Sequence, residues 1–224
     1  MLALARLLQL ASPALPVGAY TYSQGLERVV DDGVVTNEAT ALVWIADMLE
    51  WNLARFEAPL LALMMAAWQA GDRETLARLE DDFLASRESA ELRAETIQMG
   101  YSLVRLMKEL GDFPADTLAH LSEFEHPSYP LAWSAAAVAW NIPAGEALTA
   151  YLWGWAENQV MAALKAVPLG QAAGQRILLA LGGRLPALVN VALELPEDQF
   201  SNFAPGFAIA SALHETQYSR LFRS

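Results

Sequence analysis

Ser86–Leu110 reads SRESAELRAETIQMGYSLVRLMKEL, and this stretch decides the fold class. Leu92, Thr96, Met99, Leu103, Leu106 and Leu110 recur at three- and four-residue spacing, the period of one helical face. Glu88, Glu91 and Glu95 stand near its start and Arg105 and Lys108 near its end, so the charges complement the helix dipole. Gly111 follows, where a left-handed residue can close the last turn. The spacing predicts a helix over 86–110 with one apolar seam. Such a seam has to be buried against other elements.

The neighbouring segments repeat the pattern. Asn37–Phe56 carries Leu42, Ile45, Leu49, Leu53 and Phe56 at helical spacing, widened by Trp44, Met48 and Trp51, with only a narrow polar stripe. Pro59 begins or kinks a further apolar helix that ends at Gly71. Asp72 is placed to cap the next, whose Leu76, Leu79 and Phe83 face inward. The acidic run Glu80-Asp81-Asp82 reads as a solvated helix end. Pro114, Pro127, Pro130 and Pro143 divide the following region into short helices, and Pro127–Pro130 is the best candidate for an internal boundary. A long helix is expected over Glu146–Val167, stopped by Pro168. Another runs from Gly170 with a break at 182–186, and a last one from Gly206 towards Arg220. Alternating runs of β-branched residues are missing, so no strand is expected. The sequence predicts a single-domain all-α bundle of about ten helices over residues 1–224, with no sheet.

Composition narrows the function classes. The chain has 224 residues, 14 basic against 26 acidic, and a formal charge of −12. An acidic chain repels phosphate, so nucleic acid is not an expected partner. There is no cysteine, which excludes disulfides, zinc–thiolate sites and thiol catalysis and suits a cytoplasmic protein. Hydrophobic residues make up 54% of the chain, yet no uninterrupted apolar run approaches the ~20 residues of a membrane span. The opening MLALARLLQLASPALPVGA superficially resembles a signal peptide. Arg6 and Gln9 interrupt it, however, and Leu4, Leu7, Leu8 and Ala11 fall on one helical face. Residues 1–126 hold 9 basic and 20 acidic side chains, whereas residues 127–224 hold only 5 and 6. The poorly charged second part is expected either to form the buried core or to present apolar surface to partner proteins.

Motifs for chemistry are weak. His120, His126 and His214 share no metal-ligand spacing, and Tyr218 stands where H-E-x-x-H would need its second histidine. No metal site and no cofactor are expected. Gly170–Arg176 lacks one residue and the Lys-Ser/Thr pair of a phosphate loop; its GxxxG spacing reads instead as close helix approach. Glu123, Glu125 and His126 could make a carboxylate–imidazole cluster, which leaves a helical enzyme with an acid–base pair near Glu125/His126 as an alternative. A solvated loop is the plainer reading. A peripheral membrane module is disfavoured by the acidic charge.

Three further stretches stand out. Leu15–Glu27 joins a rigid turn to Tyr20 and Tyr22, with Ser23 placed as a helix cap. Lys165, the only lysine after residue 126, is followed by Pro168, Gln171 and Arg176. The tail from His214 to Ser224 is basic and amphipathic on an acidic chain, with Leu221 and Phe222 between arginines, as interface anchors are.

These stretches carry a resemblance. LLQLASPALPVGAYTYSQGLE (7–27), ASRESAELRAETIQMGYSL (85–103), NQVMAALKAVPLGQAAGQR (158–176) and HETQYSRLFRS (214–224) resemble, in order and nearly end to end, the UreF family of urease accessory proteins. Tyr22 departs from the family's frequent His, and Tyr20 from its common Phe. The resemblance implies an all-helical, dimerising, non-catalytic chaperone of urease maturation in the cytoplasm. It implies a UreD-type (UreH-type) accessory partner, the GTPase UreG, and apo-urease as the recipient of nickel. It implies that His214, Tyr218, Arg220, Leu221, Phe222 and Arg223 of the tail meet the UreD-type partner. By the same resemblance, Pro16, Gly18, Tyr22, Ser23 and Glu27 of the loop, with Lys165, Pro168, Gln171 and Arg176, lie at the GTPase or dimer face.

Overall fold

The computed structural model describes residues 2–224. Its helices are α1 (Leu2–Leu10), α2 (Leu26–Asp31), α3 (Glu38–Met48), α4 (Ala58–Ala70), α5 (Arg73–Ala85), α6 (Ala90–Leu110), α7 (Ala115–Leu121), α8 (Tyr129–Ala139), α9 (Ala144–Ala166), α10 (Gln171–Gly182), α11 (Leu185–Glu194) and α12 (Pro205–His214). No strand occurs among the described residues, so the all-α expectation holds. One continuous apolar core joins α1 through α12, and Pro127–Pro130 marks no boundary within it.

The bundle is arranged around α8 and α9. Helix α8 lies against α4 and α6, and eight of its residues from Pro130 to Ala137 are buried. Helix α9 touches α1, α2, α3, α4, α10 and α11. Burial at the centre therefore accounts for much of the charge-poor second part. It does not account for all of it: Leu179, Phe203, Ile209, Tyr218 and Leu221 remain exposed.

Local chemistry sets the helix ends. Asn37 accepts from the amides of Ala39 and Thr40 while the Thr40 hydroxyl accepts from Asn37, a closed capping box. Asp72 caps α5 as expected, accepting from Thr75 N, and Gly71 and Gly111 take left-handed φ after α4 and α6. Helix α6 starts four residues later than the seam suggests. Ser86 closes α5 with its hydroxyl on the Phe83 carbonyl, and Ser89 is the true cap, accepting from Leu92 N. Helix α1 turns a different face inward than expected. Arg6 lies over the Trp140 ring and pairs with Asp112, so Leu7 and Leu10 face the core while Leu4 and Leu8 are exposed. In the GxxxG segment only Gly174 makes a close approach, to the Leu164 side chain.

Between α3 and α4 the chain stays helical but widens into a π-helical stretch, Leu49–Glu57. Pro59 explains it. Proline has no N–H, and its ring collides with the carbonyl four residues back. Ala58 N–H accordingly bonds to the Leu53 carbonyl, five residues back, and the released Arg55 carbonyl accepts from Ser201 N at 3.0 Å. The defect thus anchors the irregular segment before α12.

Glu80 corrects the reading of the acidic run. It sits on the inner face of α5 with Leu76, Leu79 and Phe83, and is only 2% exposed. Its carboxylate accepts from Ser128 N at 2.6 Å and from the Ser128 hydroxyl at 2.5 Å, tying α5 to the start of α8.

The α6–α8 contact depends on Gly100. A Cβ there would come within 2.0 Å of the Pro127 carbonyl oxygen and 2.5 Å of the Ser128 carbonyl carbon, both backbone atoms. Gly100→Ala is expected to destabilise the fold by about 3 kcal/mol or more, because the helices must separate to admit a methyl group. The urea midpoint measures this. An unchanged midpoint would mean that the helices slide apart at no cost.

Candidate functional site

Tyr22 to Glu27 reverses the chain tightly. Gln24 and Gly25 both take left-handed φ, 51° and 77°, and Gly25 stands at the head of α2. The N-cap position therefore falls on Gly25 rather than on Ser23. The Ser23 hydroxyl still accepts from Glu27 N at 3.4 Å, in the first turn of α2, and at the same time donates to the Ser224 carbonyl at 2.6 Å.

That bond belongs to a seam between the loop and the tail. The amides of Ser23 and Gln24 also donate to the Ser224 carbonyl, and Arg223 N donates to the Thr21 carbonyl. Helix α12 ends at His214 rather than continuing towards Arg220, and residues 215–224 run irregularly back over α2 and α6. Glu27 holds the far end of this irregular segment. Its two carboxylate oxygens accept from Leu221 N at 2.6 Å and Phe222 N at 3.1 Å, amides that a helix would have used internally. The Lys165 ammonium lies 5.9 Å from the Tyr20 ring centroid and 5.4 Å from that of Phe222, joining α9 to both segments.

The structure thus brings together Tyr22, Ser23, Glu27, Lys165, His214, Arg220, Phe222 and Arg223. It sorts them by exposure. Tyr22, Ser23, Glu27, His214 and Phe222 are buried, whereas Pro16, Lys165, Tyr218, Leu221 and Arg223 are exposed. Gly18 takes φ 84° at the start of a short 3₁₀ turn. Pro168 and Gln171 are exposed where α9 gives way to α10. Arg176 stands apart from the seam, forming a two-pronged pair with Glu38 at the start of α3.

Beneath the loop is a cavity of about 210 Å³, walled by Leu10, Leu15, Phe83, Met99 and Trp133. Its polar lining was not anticipated from the sequence. Glu57 accepts from the Tyr151 hydroxyl and pairs with Arg87, whose guanidinium lies 4.1 Å from the Phe83 ring centroid. Glu95 accepts from Gln24 Nε2 and the Ser224 hydroxyl, both at 2.7 Å, and Gln24 accepts in turn from Trp155 Nε1. The sequence signal for Glu95 was its register. It lies three residues after Leu92 and four before Met99, on the apolar seam rather than on the solvated face.

Glu125 and His126 lie in the connection between α7 and α8. Their side chains are 89% and 57% exposed and 3.8 Å apart. This separation is beyond hydrogen-bonding distance, and neither residue lines the cavity, so the pair has no enclosed place to hold a substrate. No cluster of three or more metal-ligating side chains occurs among the described residues. No single described helix is long and apolar enough to cross a membrane.

Comparison with known proteins gives consistent matches. The UreF family model matches residues 35–182. The urease accessory protein UreF of Azoarcus sp. (strain BH72) is 65% identical over 100% of this chain and 97% of its own. That of Dechloromonas aromatica (strain RCB) is 59% identical over 100% and 98%. That of Methylobacillus flagellatus is 48% identical over 99% and 97%.

Burial pushes the carboxyl groups of both Glu80 and Glu95 up to about 7, against the opposing effect of their hydrogen bonds. Each therefore holds a proton in the folded chain that the unfolded chain has released above its ordinary range near 4.5. The folded state binds more protons between these values, so stability falls as pH rises from about 4.5 to about 7 and then levels. Glu80→Gln with Glu95→Gln keeps the shapes and removes the titration. The double variant is expected to show a flattened dependence of urea midpoint on pH over that interval. A slope equal to that of the native chain would assign it to other groups.

Proposed function

The chain belongs to the UreF family of urease accessory proteins, and on that footing we propose that it is a non-catalytic scaffold for urease maturation. In this reading a UreD-type (UreH-type) partner binds the tail. The GTPase UreG is recruited and regulated at the loop and Lys165 face, and the assembly delivers nickel to apo-urease. The scaffold acts in the cytoplasm as a homodimer. Nickel is cargo here, not a resident cofactor.

The observation that carries this reading is the display of the tail. Phe222 and Ser224 are buried while Tyr218, Leu221 and Arg223 point outward. The tail therefore has a fixed backbone and a free outer row containing an aromatic, an aliphatic and a guanidinium group, the types that anchor interfaces. Its seam with Thr21–Gln24 makes the two proposed surfaces neighbours, as a scaffold that holds two partners at once requires.

Exposed side chains can be removed without unfolding the bundle. Tyr218→Ala with Leu221→Asp is expected to cut co-purification with the UreD-type partner at least about tenfold, the loss of a small hot spot, with the melting temperature unchanged. Full complex formation by a folded double variant would remove the tail from the interface. Lys165→Ala loses cation–ring contacts of an exposed ammonium with exposed Tyr20 and with buried Phe222. It is expected to shift melting by no more than that of an ordinary surface change while altering GTP turnover in the assembled complex. A large melting shift with normal turnover would make Lys165 structural.

A further inference from the structure

The interior of the cavity beneath the loop takes no part in the surfaces proposed above. It measures about 210 Å³. A dry apolar cavity of about 150 Å³ holds benzene, so this one admits an aromatic ring with an added substituent. Its mouth is marked by exposed Tyr20, Met161 and Lys165. Deeper in, the walls are aromatic. The Tyr129 and Tyr151 rings stack with centroids 5.7 Å apart, and Trp133 meets Tyr151 edge-on at 5.4 Å. Faces and edges of this kind attract a further ring. Beside them stands Glu57, the last residue of the π-helical stretch. It accepts from the Tyr151 hydroxyl and from Arg87, which leaves lone pairs for another donor. Wide helical turns recur at functional sites. Arg87 is already paired with Glu57 and bonded to the Ser86 hydroxyl, so its charge is matched.

Helix α9 keeps this space open. Gly154 stands well inside the helix, where glycine is less stable than alanine. At two other helical glycines packing explains the choice: a Cβ at Gly100 would strike backbone, and one at Gly174 would come within 2.8 Å of the Leu164 side chain. A Cβ at Gly154 would meet nothing closer than the Ala11 carbonyl oxygen at 3.8 Å, an ordinary contact. Gly154 instead borders the cavity, as does Ala150 one turn earlier, so these small residues preserve volume rather than permit a close helix approach. We propose that the cavity is a binding site for a small neutral aromatic molecule carrying a hydroxyl group: the ring lies among Tyr129, Trp133 and Tyr151, and the hydroxyl donates to Glu57. A neutral ligand is selected because an anion would set its charge against the Glu57 carboxylate, whose own cation is already matched. The site is formed by this chain alone and stands or falls separately from the identity of any partner protein.

Nuclear magnetic resonance of carbon-13-labelled methionine methyl groups tests this on the full chain without partners. Met99 and Met161 line the cavity, and Met64 in the core of α4 is the control. Phenol is expected to shift the Met99 signal saturably, with a Kd below about 1 mM, and to leave Met64 unmoved. Benzoate, of similar size but charged, is expected to bind about tenfold more weakly or worse. Gly154→Leu fills the space from α9 and is expected to abolish the phenol shift. Ala150→Leu reads the same point if Gly154→Leu does not fold. A Met99 signal that stays still, moves without saturating, or moves no more than Met64 overturns the site. So does a phenol shift that survives in whichever of the filled variants folds. Benzoate binding as tight as that of phenol overturns the neutral class.

Discussion

A carboxylate removed from water must be surrounded by donors, and this chain uses that requirement to hold distant segments together. Glu27, Glu80 and Glu95 are each almost fully buried. Each is satisfied by a segment remote in sequence: Glu80 by Ser128, Glu95 by Gln24 and Ser224, Glu27 by Leu221 and Phe222. Apolar burial brings the helices together but is indifferent to small slips between them. The buried carboxyl groups are not indifferent, because a slip strands a polar group without its partner. They fix where α8 begins, where the loop closes and where the tail lies.

The unequal charge distribution follows from the same architecture. Helices α8 and α9 occupy the centre and have little use for charge, whereas 20 of the 26 acidic side chains fall in residues 1–126. Apolar surface left over in the second part falls on α10, on α11 and along the approach to the tail, where Leu179, Leu193, Phe203 and Ile209 are exposed. The charge-poor half is therefore core in its first portion and exposed apolar surface towards its end.

Much of the fold was legible because helix periodicity and caps are local signals. The seam from Leu92 to Leu103, the Asp72 cap and the break after Gly182 needed no tertiary information. Glu80 was misread because a charge near a helix end has two explanations, solvation or a buried partner, and the partner, Ser128, lies far away in sequence. Ser23 was misread for a related reason, since two left-handed residues in succession moved the helix start to Gly25. At the candidate site, the loop and the tail were recognisable as unusual segments. Their junction was not, because at least one partner in each of its bonds is a backbone group, of Thr21, Ser23, Gln24, Leu221, Phe222, Arg223 or Ser224, whose pairing no side-chain pattern encodes.

The π-helical turn before Pro59 has one more consequence. A helix is a phase-locked object: adding a residue at one point rotates everything beyond it by about 100°. A wide turn absorbs such an addition on the spot, and the rotation stops there. Helices α3 and α4 therefore behave as two separately indexed rods, although the chain between them never leaves helical form. The stripe on α3 that meets α9 and α10 can drift by substitution without forcing a compensating drift in the stripe on α4 that meets α8. The proline thus works as a clutch between two packing problems.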